Sequence, residues 1–144
     1  MMFYKPELVQ IPSSPIQLLA LGFVDACYGD RLLDFSLGSL ATLDRLLGHF
    51  ATSEPSDEER ELMVKQAGCY ILEVARRMFG GRYFWWVERD MPVLVQNEIR
   101  LASYERVRLR IERGDEENIP CFFAEYVTFV SHPCAFSDRA VFYV

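Results

Sequence analysis

The stretch Ser56–Gly81 (SDEERELMVKQAGCYILEVARRMFGG) constrains this chain more than any other. Ser56 and Glu59 form an S-x-x-E capping box, in which each side chain accepts a backbone N–H that the first helical turn leaves free. Asp57, Glu58, Glu59 and Glu61 put negative charge at the positive end of the helix dipole, and Arg76 and Arg77 put positive charge at the other end. Gly80-Gly81 supplies a residue that takes φ > 0 and stops the helix. Met63, Val64, Ala67, Gly68, Tyr70, Ile71, Leu72, Val74, Ala75, Met78 and Phe79 cover an apolar arc of roughly 200°, about twice the usual surface-helix stripe. A helix that apolar must be covered on several sides, so the spacing predicts a central helix over 57–79 in a single core.

The 144 residues suffice for one domain, taken as 1–144, without staples. The first 14 residues read as extended. Ser14-Pro15 starts a helix, proline standing where its missing N–H costs nothing, and the run to about Gly29 is apolar nearly all round, so burial is expected. Asp25 is then either at an exposed edge or bonded to a backbone amide. A second helix opens at Ser36 and shows Leu40, Leu43, Leu46, Leu47 and Phe50 on one face. The short loop ATSEP implies that helices two and three form an antiparallel hairpin.

Past Gly81 the period changes. Arg82–Glu88 is aromatic and β-branched and reads as a strand, Pro92–Gln96 as its partner and Ile99–Ala102 as a third, giving a small antiparallel sheet over 82–102. Residues 103–113 fit either a strand or a helix. Helix is preferred because Glu, Arg and Leu are better helix formers, with Tyr104, Val107 and Ile111 on one face and Arg106, Arg110 and Arg113 opposite. A last helix over 119–130 ends at Pro133, and Ala140–Val144 reads as a terminal strand. The sum is an α+β domain: N-terminal helices around a central helix, a small antiparallel sheet, further helices and a C-terminal strand.

The net charge of −6 argues against general nucleic-acid binding, where phosphate contacts dominate affinity, and leaves open a basic protein partner. The start of the chain lacks the basic and apolar regions of a secretory signal. The most apolar window, Ile16–Tyr28, is shorter than the about 20 residues of a membrane span. Four scattered cysteines (Cys27, Cys69, Cys121, Cys134) read as reduced core thiols, which places the protein in the cytoplasm. His49 and His132 have no metal-ligand spacing, His132-Pro133-Cys134 supplies two ligands at most, and no phosphate-loop, dinucleotide or nucleophile motif is present. Neither a metal nor a cofactor is expected.

Two constellations carry the functional expectations. Glu73 precedes Arg76 by three residues and Arg77 by four, which as a bare pattern is a surface salt bridge worth about 0.3–0.5 kcal/mol. The functional alternative encloses Glu73 with Tyr70 and Arg76 in a cleft, as an acceptor or general base. In the run Tyr83-Phe84-Trp85-Trp86, strand alternation puts Tyr83 and Trp85 on one face, Phe84 and Trp86 on the other. Either both faces are covered, or one pair is exposed as a protein interface or stacking site. The Arg106, Arg110 and Arg113 row reads as solvated ion pairs with the surrounding acids.

Leu43-Asp44 with Leu47, then Gly68, Tyr70, Glu73-Val74 and Arg76, then Gly80-Gly81 before Trp85, and finally Arg113-Gly114 with Glu116 and Asn118-Ile119, resemble the motif series LDxxL, GxYxGEVxR, GG with a tryptophan, and GxE of small bacterial proteins with no established activity. Leu72 stands where that series has its second glycine, and Ala102-Ser103 where it has a proline. The resemblance spans roughly residues 36–125 and implies a bacterial cytoplasmic protein in which Asp44, Glu73 and Arg76 form a buried polar network between helices two and three. The leading expectation is a non-enzymatic protein-interaction module, of accessory or immunity type, with an acidic and aromatic surface for a basic partner. The alternatives are a small-ligand protein or enzyme using the Glu73, Tyr70 and Arg76 cleft, and a homodimer joined through Trp85 and Trp86.

Overall fold

A computed structural model describes residues 6–27, 32–132 and 141–143, the last three by backbone alone. Residues 1–5 of the extended start, Gly29, Pro133, Cys134, Ala140 and Val144, which figure in the sequence reading, lie outside this set. In chain order the elements are β1 (Leu8–Gln10), α1 (Ser14–Ala26), α2 (Ser39–Thr52), α3 (Asp57–Phe79), β2 (Arg82–Trp86), β3 (Met91–Gln96), β4 (Ile99–Leu101), α4 (Tyr104–Arg113), α5 (Ile119–Ser131) and β5 (Val141–Tyr143). Short 3-10 turns at Val87–Arg89 and Gly114–Glu117 complete a single α+β domain.

The central helix forms as its sequence requires. Ser56 Oγ accepts the Glu59 N–H at 3.1 Å, Glu59 Oε1 accepts the Ser56 N–H at 3.0 Å, and Gly80 ends the helix at φ 79°. Every residue from Ala67 to Ala75 is buried. The partner on its flank differs from the expected one. α1, not α2, lies antiparallel along α3, while α2 packs against α4 and α5. A hydrogen bond from the Tyr70 hydroxyl to Ser39 Oγ at 2.7 Å links α3 to the first residue of α2. A short loop fixes where two helices meet, not which faces they share; α1 carries Ile16, Ala20 and Phe23 on one face and takes the place beside α3.

Burial of α1 is one-sided, against the expectation of an enclosed helix. Ile16, Ala20 and Phe23 are inside, whereas Leu18 is 70% exposed and Leu21 49%. Asp25 is exposed, at the edge. α2 starts at Ser39, later than the Ser36 signal; Ser36 Oγ instead accepts the Ser39 N–H at 3.2 Å ahead of the first turn.

The sheet order is β1-β2-β3-β4-β5. β2, β3 and β4 form the expected antiparallel meander, turned at Asp90 (φ 52°) and Asn97 (φ 55°). The N-terminal segment adds β1 antiparallel to β2, with Val9 opposite Trp85. β5 pairs parallel to β4, so the sheet is not purely antiparallel. Gly81 (φ 117°) is required where α3 passes into β2, because a Cβ there would stand 2.8 Å from the Val95 carbonyl oxygen. Residues 104–113 are helical, and α5 is capped by Asn118, whose side chain accepts the Cys121 N–H at 2.9 Å.

Candidate ligand-binding cleft and buried ion pairs

Glu73 and Arg76 are one helical turn apart on α3, so their pairing is local. Their burial is not. β2 brings Tyr83 over Glu73 and α1 brings Gln17 alongside, leaving the Glu73 side chain 1% exposed and that of Arg76 31%. Arg76 grips the carboxylate from Nε at 2.7 Å and from its terminal nitrogen at 2.6 Å. The Tyr83 hydroxyl donates to Oε2 at 3.1 Å and Gln17 Nε2 to Oε1 at 3.3 Å. Burial pushes the Glu73 carboxyl up, but the hydrogen bond and charge of Arg76, with help from Gln17 and Tyr83, outweigh it and hold the group below the usual carboxylate range. Burial, then the Glu73 charge, drive the Tyr83 hydroxyl upward, so it stays a donor. This corrects the surface salt-bridge reading. It also disfavours a general base, which needs a free acceptor and a raised pKa.

Tyr70 and Asp44, expected beside Glu73, work elsewhere. The Tyr70 hydroxyl accepts the Phe35 N–H at 2.9 Å and donates to Ser39, tying down the segment before α2. Phe35 sits at φ 63°, stacked on Tyr70 at 4.6 Å and covered by the Arg77 guanidinium at 3.9 Å from its centroid. Asp44 Oδ1 accepts Arg110 Nε at 2.8 Å and the Ile119 N–H at 2.9 Å, and Asp115 joins Arg110 at 3.2 Å. The Asp44–Glu73–Arg76 network is therefore two separate clusters. Arg110, expected on a solvated face, is 5% exposed because α2 supplies its counter-ion from across the helix layer. Arg106 and Arg113 do make the expected outward pairs, both with Glu117.

The aromatic strand is mostly covered. Tyr83 and Trp86 are buried, and Arg89 lies 5.1 Å over the Trp86 ring. Trp85 is half-buried, on the Tyr83 face of the sheet, and forms a wall of a cleft of about 490 Å³. Ile11, Pro12, Pro15, Ile16 and Leu19 supply a second wall, from the end of β1 into α1. The Tyr104 ring at the start of α4 closes the cleft, with Lys65 of α3 and Asp90 of the β2–β3 turn as its charged residues. Tyr104 reaches this position because α3 carries Gly68. A Cβ there would stand 2.5 Å from the ring, and Ser103 Oγ donates to the Gly68 carbonyl at 2.7 Å. The Tyr104 hydroxyl is turned inward to the Cys69 thiol at 3.5 Å, which burial pushes up to about 11. A smaller cleft of about 260 Å³ on the other side of Ile11-Pro12 opens on Arg76, Arg82 and Tyr83.

Of the sequence candidates, Trp85 alone lines the larger cleft, Arg76 and Tyr83 line the smaller one, and Glu73, Tyr70, Trp86 and Asp44 line neither. Sequence reasoning missed Lys65, Asp90 and Tyr104 as site residues. Tyr104 stood on an apolar helix face and Asp90 in a turn, and nothing local says that the two meet. Among the described residues no three His, Cys, Asp or Glu side chains converge to hold a metal ion. Of the described cysteines only Cys69 is buried; Cys27 is half-buried and Cys121 exposed, against the expectation of core thiols. No helix of the described residues is long and apolar enough to cross a membrane.

Comparison with known proteins returned no matching family model, no matching curated protein and no matching solved structure.

Proposed function

We propose that this protein binds a small, largely apolar organic molecule in the cleft between α1, β2 and the start of α4. One observation carries the reading: a half-buried tryptophan and a buried tyrosine ring wall a cleft of about 490 Å³ with few polar groups. Small-molecule sites are typically concave, about 300–1,000 Å³, and lined by aromatic and apolar side chains. The saturated Glu73–Arg76 pair offers Glu73 no role as a base, and binding without chemistry is the reading favoured here. The test uses the fluorescent probe 8-anilino-1-naphthalenesulfonate. Leu19→Arg fills the cleft and is expected to abolish probe binding while the far-UV spectrum and melting point stay near those of the parent. Equal probe binding by a folded Leu19→Arg protein overturns the reading.

A second reading, a protein-interaction module with a basic partner, is favoured by Leu18, Leu21 and Leu62, all exposed, on an acidic chain of net charge −6. Its aromatic component would have to rest on Trp85, since Trp86 is 4% exposed. Association with a basic partner steered by charge slows as ionic strength rises. A salt-insensitive on-rate removes that reading.

A further inference from the structure

We infer that the cleft ligand is a compact zwitterion, an apolar or aromatic molecule bearing one carboxylate and one ammonium, as a free amino acid does. The inference rests on the ligand-binding reading above and deepens it. The walls made by Ile16, Leu19, Trp85 and Tyr104 are apolar in what they present, because the Tyr104 hydroxyl is engaged with Cys69 behind them. Two side chains of opposite charge, Lys65 and Asp90, complete the lining. Neither forms a salt bridge among the described residues, with each other or with a third group. Every arginine of α4, by contrast, is committed to a carboxylate.

Asp90 is also held in place. It stands at φ 52° in the tight turn between β2 and β3, and its N–H donates to the Val87 carbonyl at 3.3 Å. Lys65 rises from the rigid, fully formed central helix one turn before Gly68. A purely anionic ligand would meet the Asp90 carboxylate, a purely cationic one the Lys65 ammonium, and a neutral one would leave both solvated charges unused. A ligand with both charges and an apolar body matches all three parts of the lining, and charge-assisted hydrogen bonds are the strong ones in a partly desolvated site. The volume suits a single ring or branched chain, at the lower end of the range for ligand sites.

The experiment is a tryptophan-fluorescence and calorimetric titration of the full chain with three related probes: L-phenylalanine, 3-phenylpropionate, which lacks the ammonium, and 2-phenylethylamine, which lacks the carboxylate. L-phenylalanine is expected to bind about 10-fold more tightly than either. Lys65→Met is expected to weaken L-phenylalanine and 3-phenylpropionate by about 10-fold without weakening 2-phenylethylamine, and Asp90→Asn to weaken L-phenylalanine and 2-phenylethylamine by about 10-fold without weakening 3-phenylpropionate. Asn tolerates the left-handed backbone at position 90, so the turn survives the change. Three equal affinities, or affinities indifferent to both charge variants, overturn the zwitterion while Leu19→Arg still removes binding and the cleft stands. Binding that Leu19→Arg leaves untouched overturns the cleft reading and this inference with it.

Discussion

The two buried ion pairs, Glu73 with Arg76 and Asp44 with Arg110, solve the same problem at different places in the fold. In the first, the carboxylate is the buried partner, at 1% exposure, and its arginine reaches toward solvent. In the second, the arginine is the buried partner, at 5%, and the carboxylate lies nearer the surface. The first is local in sequence and braces the β1–α1 corner against α3. The second joins residues 66 apart and clamps α2 to α4 and to the first turn of α5. A pair formed within one helix does not depend on tertiary structure for its geometry, only for its burial. A pair formed between helices depends on it for both, so the Asp44 cluster is the more sensitive reporter of helix packing.

That contrast orders the expected losses. Asp44→Ala leaves buried Arg110 with the exposed Asp115 as its counter-ion and the residue-44 carbonyl as a neutral acceptor, and strips the Ile119 N–H of its acceptor; a loss of about 3–5 kcal/mol is expected in urea unfolding. A loss below about 1 kcal/mol would mean that α2 and α4 stay docked without the clamp. Glu73→Gln keeps the shape but removes the charge that Arg76 faces, and about 2 kcal/mol is expected, less than for Asp44 because Arg76 can turn to water. The same variant sharpens the comparison in pH. Because the folded Glu73 pKa lies below its ordinary value near 4.5, the folded state binds fewer protons. The stabilisation is complete above that value and is lost as pH falls through the lower folded pKa. Acid unfolding of Glu73→Gln should therefore be shallower than that of the parent below about pH 4.5. Superimposable acid profiles would show that Glu73 does not contribute. The smallest effect, about 1 kcal/mol, is expected from Ser56→Ala, which removes half of an exposed capping box far from both pairs.

What could be read from the sequence divides along the same line. The central helix announced itself through Ser56, Glu59 and Gly80 because caps act within one turn of the chain. The meander at 82–101 was legible because its turns are short and its strands adjacent. The helix at 104–113 was preferred on propensity, and that preference holds. The fate of Glu73 was not legible: its i,i+3 spacing to Arg76 is the same on a surface or in a core, and what buries it is Gln17, 56 residues earlier, with Tyr83. Arg110 misled for the same reason, since its counter-ion comes from α2. The cleft was legible only at Trp85. Its other walls are drawn from four separate stretches of chain, and their meeting is a property of the packing alone.

Gly68 gives the cleft an unusual kind of control. The position of the Tyr104 ring is set from behind, by the absence of a methyl group on the opposite side of the ring from any visiting molecule. Gly68→Ala would shift the ring by forcing apart two surfaces already in contact, and so reshape the cleft without altering a single atom that a ligand touches. The depth of the site is thus stored in the spacing between two helices, as a lock's bore is set by its casing and not by the pins.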